Sequence, residues 1–193
     1  MSRIWFTSDL HIGHKNVIEY ANRPFTSVEE MDATIINNWN LFIAPEDTVY
    51  VLGDVVFLKL HEAVEKVSAL NGHKHLIFGN HDKPLKKKQA FLGLFESSRD
   101  YAELKIADKD AKDGVQRIVL LHYAMKIWNK SQHGAWHLYG HSHGSLPDDP
   151  HALSLDVGVD AWDMKPVSYD QVKARMKEKT WVPVDHHRPR GGV

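Results

Sequence analysis

Thr48-Val49-Tyr50-Val51-Leu52-Gly53-Asp54 is a run of β-branched, aromatic and aliphatic residues that stops at Gly-Asp. That composition predicts a buried strand delivering a carboxylate into a loop. Working outward, the same device recurs on both sides. Residues 3–7 form a short apolar strand that runs into Asp9-Leu10-His11. Residues 74–78 lead to Gly79-Asn80-His81-Asp82, 115–121 to His122, and 136–139 to Gly140-His141-Ser142-His143. Five strand ends therefore carry Asp, Asn or His, the side chains that hold divalent cations.

Helical patterns lie between these strands. Ser27 and Glu30 make a capping box for a helix over 27–42, on which Val28, Met31, Ile35, Trp39 and Phe42 recur at helical spacing. Leu60, Ala63, Val64, Val67 and Leu70 mark a second helix that stops near Gly72. The lysine-rich stretch 83–94 predicts a third. Residues 101–107 and 115–121 predict a hairpin around the charged turn 108–114, and 153–157 a further strand. A final helix starts at Ser168, capped by Gln171. Alternation first and a hairpin later favour an α/β sandwich with mixed sheets over a purely parallel doubly wound sheet.

The bulk composition sets limits. A chain of 193 residues suits one domain, expected over 1–184, with a polar tail over 185–193. A net charge of −1 advertises neither nucleic acid nor an anionic surface as partner. The absence of cysteine excludes disulfides and thiolate zinc sites. No stretch approaches the roughly 20 apolar residues that span a bilayer, and the N-terminus has no basic and apolar leader. The expectation is a soluble cytoplasmic protein without a membrane partner.

In an extended segment, side chains two apart point the same way, so Asp9 and His11 are expected to reach one ion. His141 and His143 repeat that spacing. Asp54 stands where a carboxylate can bridge two cations, Asn80 offers an amide oxygen and His122 an imidazole. Two carboxylates, one amide and four imidazoles are enough for two ions. The mixture suits Mn, Fe, Zn or Ni better than Ca. Any one of these groups alone is an ordinary turn; together, at the carboxyl ends of several strands, they converge on one crevice.

The ordered set D-x-H, G-D, G-N-H-D, H and G-H-x-H resembles the calcineurin-like metallophosphoesterase family, over a span from Asp9 to His143. The run His11-Ile12-Gly13-His14-Lys15-Asn16 with Asn22-Arg23-Pro24-Phe25 is similar to small bacterial and phage members. The resemblance implies a four-layer α/β/β/α sandwich with two mixed β-sheets. It implies one metal on Asp9, His11, Asp54 and His143, and a second on Asp54, Asn80, His122 and His141. It also implies hydrolysis of a phosphate ester by a metal-bridging hydroxide, with two cations roughly 3.5–4 Å apart clamping the phosphoryl group. His81 matches the general acid, and Asn80 assists in stabilising charge on the phosphoryl oxygens. One position departs from the pattern: Phe57 stands where members often carry a carboxylate that orients the acid, so that either Asp82 or a backbone carbonyl is the expected support or His81 is less tightly held.

His14 and Arg23 are the candidate substrate contacts, Arg23 through bidentate contact with a phosphate. Their ordinary alternative is a loop histidine and a surface arginine. Lys83, Lys86, Lys87 and Lys88 could steer a polyanion, although such a run is more often a solvated face. Asp156 is a candidate support for His141 or His143. The expected partner is a small phosphorylated compound, a phosphodiester or nucleotide. A nuclease on the same fold and a non-catalytic protein-binding scaffold are the alternatives.

Overall fold

The computed structural model describes residues 2–183. The tail expected over 185–193, with His186 and His187, lies outside them.

The elements are β1 (Ile4–Thr7), α1 (Val17–Tyr20), α2 (Val28–Phe42), β2 (Thr48–Val51), α3 (Leu60–Ser68), β3 (His73–Ile77), α4 (Gln89–Leu92) and β4 (Ser97–Arg99). Then come β5 (Ala102–Ala107), β6 (Val115–Leu120), β7 (Trp136–Tyr139), β8 (Ser154–Asp156), β9 (Val167–Ser168) and α5 (Tyr169–Lys177). One sheet runs β4-β3-β2-β1-β9, parallel except for β9. The other runs β5-β6-β7-β8, parallel except for β5. Both are mixed, as expected.

Strand alternation distributes the core. On β1, Trp5 packs with Met31, Ile35 and Trp39 of α2, while its neighbour Phe6 packs with Leu52, Ile118 and Leu138 between the sheets. Val49 and Val51 of β2 share the helix side with Trp5. Each large side chain so buried contributes about 1.5–3 kcal/mol. On the far side of the second sheet, the buried His137 ring lies 5.4 Å from Trp128, in the segment that follows β6. No described helix is long and apolar enough to cross a membrane.

Two local expectations change. Ser27 Oγ accepts the Glu30 amide at 3.1 Å, but the Glu30 carboxylate returns to Thr26 rather than to Ser27, so the capping box is half made. The helix expected over 83–94 shrinks to the single turn of α4. Asp82 is pinned by three backbone amides, Pro84 lacks an N–H, and residues 82–88 fold as successive turns. Within this turn Lys86 pairs with Asp100 and stands 4.6 Å from the centroid of the Phe78 ring.

The turn between β5 and β6 is tied to α5 through Asp108. Its carboxylate accepts from Lys173 Nζ at 2.7 Å and from the Tyr169 hydroxyl at 2.5 Å. The Lys173 ammonium and the Tyr169 hydroxyl hold the Asp108 carboxyl down at about 2. Its ordinary value is ~3.9. A lowered carboxyl stabilises the fold above the ordinary value, and the benefit fades as pH falls toward the native one. Asp108→Asn should therefore cost about 1–3 kcal/mol at pH 7. Thermal melts at pH 7 and near pH 2 check this: the gap between wild type and variant should narrow in acid.

Candidate metal centre

The side chains singled out above gather at the carboxyl ends of β1, β2, β3, β6 and β7. Oxygen or nitrogen atoms of Asp9, His11 and His143 lie within 4.8 Å of one another, and those of Asp54, His122 and His141 form a second such group. Asp54 joins the two. Its Oδ2 is 3.6 Å from His11 Nε2 and 3.5 Å from His122 Nε2. Asn80 Oδ1 stands 3.0 Å from His122 Nε2, completing the second group.

The route by which the ligands arrive differs from the extended-strand expectation. Asp9, His11, Asp54, His141 and His143 all have positive φ, between 48° and 68°. Left-handed backbone at a non-glycine residue costs about 1 kcal/mol or more each. Tight left-handed turns, not pleat alternation, bring Asp9 and His11 into one group, and they send His141 and His143 to different groups. Close backbone approach makes the glycines before them necessary: a Cβ on Gly140 would collide with Ser8 and Asp9, and one on Gly79 with Asp54.

Two of the four candidate histidine ligands have an oxygen behind the ring nitrogen turned from the centre. His122 Nδ1 stands 2.6 Å from the Leu52 carbonyl, and His143 Nδ1 is 2.7 Å from Asp160 Oδ2. Each Nδ1–H is thereby satisfied and each Nε2 lone pair faces inward. Asp9 Oδ1 and His11 Nε2 are buried and have no hydrogen-bond partner among the described residues. Burial pushes the Asp9 carboxyl up to about 6 and the His11 imidazole down to about 2. A buried carboxylate oxygen and an imidazole lone pair turned toward each other fit a cation, which satisfies both.

The sequence model described as "Calcineurin-like phosphoesterase" matches residues 2–191. The chain belongs to that family. An uncharacterized protein of Methanocaldococcus jannaschii is 34% identical, covering 89% of this chain and 90% of its own length. The gene 66 protein of Mycobacterium phage L5 is 33% identical over 89% and 93%. A crystal structure of a protein of unknown function from Aquifex aeolicus shares the fold, with a TM-score of 0.66 and 24% identity over 90% of this chain and 99% of that one. The two groups of Asp and His side chains fit the two divalent cations that members of this family typically bind.

Within this family member, Asp82 does not support His81. Its carboxylate accepts the amides of Gly79, Asp54 and Val55 at 2.7–3.2 Å, locking the two ligand loops together. His81 instead donates its backbone N–H to Asp54 Oδ1 at 2.9 Å, and its ring sits 4.7 Å from Phe57. Phe57 thus gives the His81 ring an aromatic wall.

Arg23 is not placed as a phosphate contact. Its side chain is fully buried, gripping Asp160 at 2.8 and 2.9 Å and donating to the Asp9 and Leu10 carbonyls. Every guanidinium nitrogen is engaged, so it is a strut beneath the ligands. Asp160 was not singled out from the sequence; Asp156, four residues earlier, was. Asp156 accepts the Gly144 and Gly158 amides, and Asp160 is the one that reaches His143. Asp156 ends β8 and Asp160 follows it closely, and position near that strand end does not separate the two.

Proposed function

We propose that the chain hydrolyses a small phosphate ester of low charge, a phosphodiester or nucleotide-like compound. Asp9, His11, Asp54, Asn80, His122, His141 and His143 hold two divalent cations, drawn from Mn, Fe, Zn and Ni. The observation that carries this reading is the Asp54 carboxylate set between two ligand groups, the first of which holds the unpartnered inward atoms of Asp9 and His11. When bound, the cations supply an activated water and neutralise charge on the phosphoryl oxygens. The chain's own residues do the rest. The Asn80 amide, held beside His122, has N–H groups to give a phosphoryl oxygen. The His81 ring protonates the departing oxygen, and the hydrogen bond its backbone N–H donates to Asp54 Oδ1 fixes its loop relative to the ligands.

Substrate size and charge follow from the cavity against the centre. It measures about 590 Å³ and is lined by His11, His14, Tyr20, Asn22, His81 and His143, among others, with no lysine or arginine. Beyond the cations, a polyanion would meet no lysine or arginine along this wall, which weighs against nucleic acid as substrate. Lys86 is already engaged by Asp100. Another cavity of about 560 Å³, near Lys112 and Arg117, adjoins the amino ends of β6 and β7, remote from the ligands.

His81→Ala tests the proton donor. It should keep bound metal, and its turnover should fall by about 10²–10⁴ on alkyl esters but far less on p-nitrophenyl esters, whose leaving group needs no proton. Equal losses on both would contradict the role.

A further inference from the structure

The His11 ligand differs from its sisters in what stands behind it. His122 and His143 each have an oxygen behind Nδ1, an acceptor in any protonation state. His11 Nδ1 instead faces another imidazole nitrogen, His14 Nδ1, at 3.1 Å. Two such nitrogens bond only if one carries the proton and the other a lone pair. The direction is set by the far side of His11. Its buried Nε2 faces Asp54 Oδ2 at 3.6 Å and Asp9 Oδ1 at 3.9 Å, where a lone pair is needed toward a cation. The His11 proton therefore sits on Nδ1, and His14 Nδ1 accepts it. A neutral His14 must then carry its own proton on Nε2.

We propose that His14 is a positioning residue that fixes the tautomer of the metal ligand His11 and, as a consequence, holds an Nε2–H donor at the wall of the substrate cavity. The inference rests on the proposed function in taking His11 as a ligand. Phe57 explains how the pair keeps its alignment. Its ring lies flat on His14, with centroids 3.8 Å apart and planes 9° apart, and it also stacks on His11 at 5.0 Å and 21°. The two imidazoles lie edge to edge, with centroids 5.2 Å apart and planes 28° apart, as an in-plane hydrogen bond between them requires. The residue that replaces a carboxylate thus clamps both rings of the relay. His14 lines the cavity, so its Nε2–H is a neutral donor suited to a phosphoryl oxygen. Ligand geometry and substrate contact are coupled through one hydrogen bond.

Long-range ¹H–¹⁵N correlation spectra of the zinc-loaded protein test this directly. The expected pattern is a protonated Nδ1 on His11, and on His14 a protonated Nε2 with a bare Nδ1. Zinc affinity, measured by chelator competition, gives the second arm. His14→Leu should weaken binding by about 10–100-fold. His14→Gln, whose Oε1 can accept the His11 proton, should recover most of it. A proton on His14 Nδ1, or a leucine variant that binds zinc like wild type, overturns the relay while leaving the two-cation reading intact. A wild-type chain that binds no zinc, manganese or nickel overturns both.

Discussion

Asp54→Ala should empty both ligand groups and lower ester hydrolysis by about three orders of magnitude or more. The size follows from what one side chain does. Oδ2 lies within 3.6 Å of the inward nitrogens of both His11 and His122, so neither group keeps its oxygen donor between them once it is gone. Oδ1 accepts the His81 amide, so the proton donor's loop loses its tether as well. Cations that stabilise charge in the transition state contribute several kcal/mol, and each 1.4 kcal/mol is a factor of ten in rate. The fold should survive, because the 54–55 backbone is held by Asp82 rather than by the Asp54 side chain. Elemental analysis of the purified variant should find little bound metal while circular dichroism matches wild type. Wild-type metal content in the variant would contradict a shared ligand.

Arg23→Met should give the largest loss of stability. The substitution leaves the Asp160 carboxylate, only 5% exposed at its side chain, with His143 as its remaining charged partner. It also strips donors from the Asp9 and Leu10 carbonyls. Breaking a buried pair by removing one partner costs about 3–5 kcal/mol. For a domain of this size that corresponds to a fall in Tm on the order of 10 °C. Metal affinity should fall with it, since Asp160 orients His143. Arg23→Lys should rescue little, because an ammonium cannot grip Asp160 and two carbonyls at once. Were Arg23 a phosphate contact, Arg23→Met would raise KM and leave Tm nearly unchanged, so a thermal melt beside a KM measurement separates the two.

The contrast between these two residues shows what the sequence could carry. Asp54 was legible because an apolar run ending in Gly-Asp has few other uses, and because four similar endings accompany it. Arg23 was visible as a residue but not as a strut, since its partner Asp160 lies 137 positions away and no local pattern links them. Strands and amphipathic helices declare themselves by periodicity, which is why β1 to β3 and α2 fall close to their expected bounds. The stretch 83–94 misled because lysine and leucine favour a helix, whereas Asp82 spends its carboxylate on three amides elsewhere and starts a turn. The ligand backbones were misread for a related reason. Extended geometry is the default at strand ends, and five left-handed residues in one centre are sustained only by the surrounding tertiary contacts.

The role of Phe57 also changes with the structure. From the sequence it marks a missing carboxylate and a weakly held acid. In the fold it packs against His11, His14 and His81 together. The candidate ligand His11 and the His81 ring therefore share one aromatic plate.

The most direct test of the central claim is to follow hydrolysis of bis(p-nitrophenyl) phosphate while metal-free protein is titrated with manganese, with bound metal counted per chain. The account predicts negligible turnover without metal and full turnover only as the second equivalent binds. Turnover that persists in excess chelator, or a chain that holds two equivalents of manganese, nickel or zinc and hydrolyses neither this diester nor p-nitrophenyl phosphate, would contradict it.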